Sequence, residues 1–303
     1  MSNPMHPPEG GTPFPHGRRS GPTKEGTAAR FTWRKYPAIG AICMRARTAY
    51  RFDVLVGATL PFLRVLLAFL LWGALFAGRD EIGGYTLLSM TFYYILTAFL
   101  ARLDQSGGLV WEYAGDIKEG RFAKYLTKPV NPFGHFLATA AANTLYVAGI
   151  ALVSCVVLLA VFSGVLHDRP AAGLPGPTPA SLLAAVLLSL LGLVFSASLN
   201  WLTAILAWKF QDISGFHMIK GVVVEFLTGA MLPLSLLPSG LQAVMRLFPF
   251  YSMQYLPASL FLGLKTEEAP SGLLILALWT IGFLLLGEFA WRRLRRLDEG
   301  VGA

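Results

Sequence analysis

Residues 109–132 read Leu-Val-Trp-Glu-Tyr-Ala-Gly-Asp-Ile-Lys-Glu-Gly-Arg-Phe-Ala-Lys-Tyr-Leu-Thr-Lys-Pro-Val-Asn-Pro and lie between long apolar runs. The stretch is too polar to sit in lipid and too patterned for a plain tether. Val110, Tyr113 and Ile117 recur at helical spacing on one face, with Glu112, Asp116, Lys118 and Glu119 around the rest. Gly120 is placed to end that helix, and Pro129 with Pro132 keeps the next segment from running on. The pattern predicts a short helix offered to a partner outside the apolar layer. Glu112, Asp116, Lys118, Glu119, Arg121 and Lys124 are its docking candidates, against the plainer reading of a solvated loop. Trp111 and Tyr113 suit anchors at a membrane interface.

Composition sets the class. The chain of 303 residues is 54% hydrophobic and 14% charged, with mean hydropathy +0.56. A soluble domain carries about a quarter charged residues. A net charge of +8 in a soluble protein would point to nucleic acid. Here the basic residues flank apolar runs, as membrane orientation signals do, and no aromatic residues interleave with them as a base-stacking surface requires. Nucleic acid is therefore set aside, and membrane lipids are the expected surroundings.

The first 29 residues carry six Pro and five Gly without an apolar run, which predicts a disordered tail and no secretory signal. Cys43 and Cys155 are the two cysteines, one expected in the cytoplasm and one inside a span, so no structural disulfide is expected. The five His are scattered, without metal-ligand spacing.

A span needs ~20 mostly apolar residues. Six stretches qualify: 54–77, 85–103, 137–165, 181–207, 217–237 and 272–291. The run 232–264 is apolar but broken by Pro233, Pro238, Pro249 and Pro257. It predicts two short helices joined near Pro249 that enter and leave on one side, leaving Arg246 and Lys265 together. An even count puts both termini on one side, and charge says which. Six basic residues and no acid lie between Arg30 and Arg51. Arg102, Lys118, Arg121, Lys124, Lys128, Lys209, Lys220 and the arginines from Arg292 to Arg296 share that side. The other side has Arg79, Arg169, Arg246 and Lys265. The basic side is cytoplasmic by the positive-inside rule. Tyr36–Arg51 reads as a helix lying in the inner interface. The membrane region is thus 30–295, followed by a cytoplasmic C-terminal tail at 296–303.

Arg64, Glu225 and Glu288 are ionisable residues that fall within the predicted spans. Glu288 is within reach of Arg292 and reads as interfacial. Arg64 and Glu225 each lie about ten residues from the inner end of a span, ~12–15 Å deep. A charge there costs ~2.5–3.5 kcal/mol on insertion scales, so pairing, snorkelling and contact with substrate are the alternatives. Ser196, Ser198, Asn200 and Thr203 of the fourth span either line a passage or, more commonly for such residues, hold helices together.

Five passages carry a resemblance. They are Ala49-Tyr-Arg-Phe-Asp53; Gly83-Gly-Tyr-Thr-Leu87; Asp116-Ile-Lys-Glu-Gly-Arg121 with Tyr125-Leu-Thr-Lys-Pro-Val130; Asp212-Ile-Ser-Gly-Phe216; and Gly229-Ala-Met-Leu-Pro-Leu-Ser-Leu-Leu-Pro238 leading to Pro249-Phe250. In order and spacing they resemble the permease subunits of bacterial ATP-binding-cassette exporters of the type-2 (ABC-2) six-span class. The resemblance covers about 36–295. It implies an all-α polytopic fold with an elbow helix before span 1, a coupling helix between spans 2 and 3, and re-entrant helices before span 6. It also implies a bacterial plasma membrane location and a path framed by two copies, or by one copy and a related permease. No G-x-x-x-x-G-K-[ST] loop occurs in the chain. Its cofactors are then none of its own, with ATP and Mg bound by a separate ATPase subunit. Two other classes compete. An integral membrane enzyme acting on lipid-linked substrates needs convergent Asp, His or Ser groups at one face, and no such cluster is visible. A channel or receptor without an ATPase leaves the 109–132 pattern unexplained.

Overall fold

Lipid offers a spanning backbone no partner for its N–H and C=O groups, so the apolar runs must satisfy themselves as helices. The computed structural model describes residues 40–42, 51–126, 131–165 and 175–301, and no strand occurs among them. The helices are α1 (Arg51–Leu75), α2 (Leu87–Leu103), α3 (Ser106–Lys118), α4 (Ala123–Leu126), α5 (Pro132–Val165), α6 (Pro179–Ile205), α7 (Ser214–Leu227), α8 (Ser239–Arg246), α9 (Tyr255–Phe261) and α10 (Ala269–Val301). The predicted tail 1–29, Lys128, Pro129 and all of the Tyr36–Arg51 helix but 40–42 and Arg51 lie outside the described residues. Residues 40–42 are helical.

Four stretches among the described residues are long and apolar enough to cross a membrane: Leu87–Lys118, Pro132–Val165, Pro179–Trp208 and Thr266–Leu294. The first comprises two helices, α2 and α3, broken at Asp104 and Gln105. α1 has 25 residues with Pro61 inside it. α7 departs from the predicted 217–237. It stops at Leu227 because Gly229 takes a φ of 78°, a left-handed conformation that glycine alone adopts cheaply. A Cβ there would also come within 3.0 Å of the Tyr93 hydroxyl. The 14 residues of α7 cover ~21 Å, less than the ~30 Å apolar thickness of a bilayer. At the other end of the chain, α10 stays helical to Val301, past the predicted boundary at 295.

α6 is the hub, packed against α10, α3 and α9, while α2 packs on α5 and α1. Two buried clusters result. One gathers Tyr85, Tyr93, Tyr251, Tyr255 and Phe195; the other gathers Tyr113, Phe136, Trp201 and Trp291. Leu63, Leu66, Leu67, Leu70 and Leu71 of α1 and Val153, Val156 and Val157 of α5 are exposed. Aromatic, small and hydroxyl-bearing residues join leucines inside, and leucine and valine predominate among the exposed large side chains. That distribution suits helices that associate by close packing and hydrogen bonding in lipid rather than by hiding apolar surface.

The proline-broken run folds as α8 and α9 joined by a 3₁₀ turn at Pro249–Ser252. Arg246, at the end of α8, and Lys265, shortly after α9, both reach Oε1 of Glu268, at 3.0 and 3.1 Å, and the Tyr251 hydroxyl bonds the same carboxylate. The C-terminal ends of the two short helices therefore lie close together.

Candidate functional site

α3 starts three residues before the predicted stretch, where Asp104, one residue ahead of the N-cap Gln105, accepts the Ser106 N–H at 3.0 Å and satisfies one free donor of the first turn. It ends where the sequence places the stop. Gly120 takes a φ of 68°, and its N–H reaches the Ile117 carbonyl at 3.2 Å. Val110 and Tyr113 are buried, and Ile117 is half-buried against the same cluster. They rest on Trp201 and Ala204 of α6, on Ala207 beyond it, and on Phe136 of α5. The ring contacts are dense. Tyr113 stacks on Tyr125 at 5.1 Å and 15°, meets Phe136 and Trp201 edge-on, and sets its hydroxyl 2.5 Å from Nδ1 of His135.

The six docking candidates divide. Glu112, Lys118, Glu119, Arg121 and Lys124 are exposed. Asp116 is buried, its side chain 4% exposed, and it holds three partners: Lys124 Nζ at 2.6 Å, Arg121 Nε at 3.2 Å and the Tyr125 hydroxyl at 3.1 Å. Burial raises the pKa of this carboxyl, but the bonds from Lys124, Arg121 and Tyr125 outweigh it and hold the group below its ordinary value. Arg121 also bonds Glu119. Asp116 thus arranges the outward cations from beneath. Trp111 is half-exposed and meets His217 of α7 edge-on at 5.1 Å.

Arg64 and Glu225 meet: NH2 lies 2.7 Å from Oε1, with both side chains about a third or more exposed (34% and 42%). The same guanidinium donates to the Ala230 carbonyl at 2.9 Å. Glu288 accepts from Arg292 Nε at 2.8 Å and from Asn131 Nδ2 at 2.6 Å, which ties the start of α5 to α10.

The polar residues of α6 are buried, and each has a partner within the chain. Ser196 bonds Asp104, Asn200 Nδ2 donates to Ser106 Oγ at 2.7 Å, and Lys220 Nζ bonds Asn200 Oδ1. Ser198 and Thr203 donate back to the Val194 and Leu199 carbonyls, both at 2.9 Å. Asp104 and Lys220 do not stand out in the sequence. Asp104 ends an apolar run and reads as a boundary, and Lys220 reads as one more cytoplasmic loop charge. Lys220 does lie within the predicted fifth span, and that position is the signal for a buried partner.

Residues 62–297 match the model of the ABC-2 family transporter proteins. The chain belongs to that family. It is an ABC-2 type permease, a multi-pass membrane protein of the ABC transporters. No curated protein matches the chain.

Proposed function

We propose that this permease is the membrane subunit of an ATP-driven exporter in the bacterial plasma membrane and that a separate ATPase subunit docks on α3 and the turn after it. The observation that carries the reading is the two-sided build of this element. Its inner face is fixed in an aromatic cluster, and its outer face holds Glu112, Lys118, Glu119, Arg121 and Lys124 in the open. A rigid seat with a charged outward face suits a helix that receives a push, because charge complementarity sets register and partner choice. Asp116 is the positioning residue of this face. ATP and Mg sit on the ATPase; this chain brings neither a phosphate loop nor a catalytic group.

The rest of the architecture follows from the same reading. α1, α2, α5, α6, α7 and α10 are the six spans, α7 completing its crossing with the residues that follow it. The basic segment before α1 is the elbow, and both termini are cytoplasmic. α8 and α9 re-enter from the outer face, so that Arg246, Lys265 and Glu268 lie outside. Ser196, Asn200 and Thr203 serve packing rather than the path, since all three are satisfied inside the protomer. The Arg64–Glu225 pair is different. Half-exposed charges at membrane depth belong against protein or water rather than lipid, so the α1–α7 face meets a second copy or a related permease across the path.

The test is charge reversal at the outward face. Arg121→Glu combined with Lys118→Glu leaves the permease in the membrane and abolishes copurification of the ATPase and permease-dependent ATP hydrolysis. ATPase recovered at the wild-type level, with hydrolysis unaltered, contradicts the docking reading.

A further inference from the structure

Asp104 is tied on both sides of the break between α2 and α3. Oδ1 accepts from the Ser106 N–H at 3.0 Å and the Ser106 hydroxyl at 2.5 Å, and Oδ2 accepts from Ser196 of α6. Ser106 Oγ in turn accepts from Asn200, whose Oδ1 takes Lys220 of α7. An anion and a cation thus end one continuous chain running from the first turn of α3, through α6, to α7.

α7 is the unusual member of the bundle, because none of its residues is buried. It is held instead by side chains that reach three different helices: Lys220 to Asn200 of α6, His217 against Trp111 of α3, and Glu225 to Arg64 of α1. Just beyond its C-terminal end the backbone is pinned. The Tyr93 hydroxyl donates to the Gly229 carbonyl at 2.7 Å, Arg64 to Ala230 at 2.9 Å and the Tyr94 hydroxyl to Met231 at 2.8 Å. Within the protomer its C-terminal end is anchored, and the rest is held by those three side-chain contacts.

We infer that α7 is a lever, pivoting at residues 229–231, and that Asp104 and Lys220 are the positioning residues through which a displacement of α3 moves it. The inference rests on the docking reading above. Asp104 and Ser106 are bonded to each other at the first turn of α3 and travel with it. A half-buried charge left without its partner is costly, so Asn200 and Lys220 follow rather than part. Contacts between apolar faces would let the helices slide past one another; this chain does not. Because α7 is ~21 Å long, a tilt of about 10° about the pivot moves its Ser214 end by about 4 Å. The same tilt loads the Arg64–Glu225 pair at the α1–α7 face.

The test is hydrogen exchange on the complex with its ATPase in lipid nanodiscs, nucleotide-free and trapped with ATP and vanadate. The wild type changes its exchange by about twofold or more in both 106–118 and 214–227. Lys220→Met keeps the change in 106–118, loses it in 214–227 and lowers permease-dependent ATP hydrolysis about tenfold without loss of copurification, and Lys220→Arg restores both. If Lys220→Met does not fold, Asn200→Leu with Lys220→Met removes both polar partners together and gives the same result. A wild type that changes in 106–118 and not in 214–227, or a Lys220→Met protein that keeps both changes, overturns the lever. A wild type without change in 106–118 overturns the docking reading, and the lever falls with it.

Discussion

α3 and α7 are nearly the same length, 13 and 14 residues, and they are built in opposite ways. α3 buries Leu109, Val110, Tyr113, Ala114 and Asp116 against α6 and α5, and its charges are pulled into order from below. Within the protomer α7 has no fully buried residue, and apart from Leu227 at its end it is held by a few polar and ring contacts from its neighbours. An element that receives force must be stiff, because a soft one would dissipate it. An element that transmits force by changing position must have few contacts to remake. The proposed roles of the two helices, a seat and a lever, rest on this difference.

Substitutions that separate the two helices make the comparison breakable. The largest effect belongs to Trp201→Ala, which empties the base of the α3 cluster. Trp201 is fully buried against Tyr113, Phe133 and Phe136, with its Nε1 on the Gly287 carbonyl at 3.3 Å. Its loss costs about 3–5 kcal/mol, and thermal unfolding in detergent shows a Tm lowered by several degrees. If Trp201→Ala unfolds like wild type, α3 is not seated as described.

Next is Asp116→Ala, expected to cost about 1–3 kcal/mol because it strands the buried Tyr125 hydroxyl and frees Arg121 and Lys124. Acid sharpens this case. The folded carboxyl lies below its ordinary value of 3.8, so its contribution is complete above that value and is lost as pH falls through the lower folded one. The Tm gap between wild type and Asp116→Asn therefore narrows in acid; a gap that widens there contradicts the assignment. Tyr125→Phe, which removes one of the three partners, is expected to cost about 1 kcal/mol. The smallest effect belongs to α7: Val222→Ala, at an exposed site, stays within about 0.5 kcal/mol. A loss there as large as that of Trp201→Ala would show that α7 is packed after all.

Helical spacing and a glycine stop made α3 legible in the sequence, since Val110, Tyr113 and Ile117 can share a face only in a helix. Proline spacing did the same for α8 and α9, and counting depth from the span ends put Arg64 level with Glu225. Other features depend on tertiary partners that periodicity does not carry. Asp116 reads as an outward charge until Tyr125, nine residues on, folds back to cover it. Asp104 and Lys220 find each other through Ser106 and Asn200, which belong to different helices. The early end of α7 depends on Gly229 fitting beneath Tyr93, and nothing local announces that fit.

The central claim is that the outward face of α3 meets a separate ATPase. A photo-crosslinking residue placed at Lys118, with a second at Val222 as the control, tests it most directly in intact cells. The account predicts a crosslinked ATPase subunit from position 118 and none from 222. Absence of the ATPase adduct at 118, or equal adducts from both positions, would contradict it.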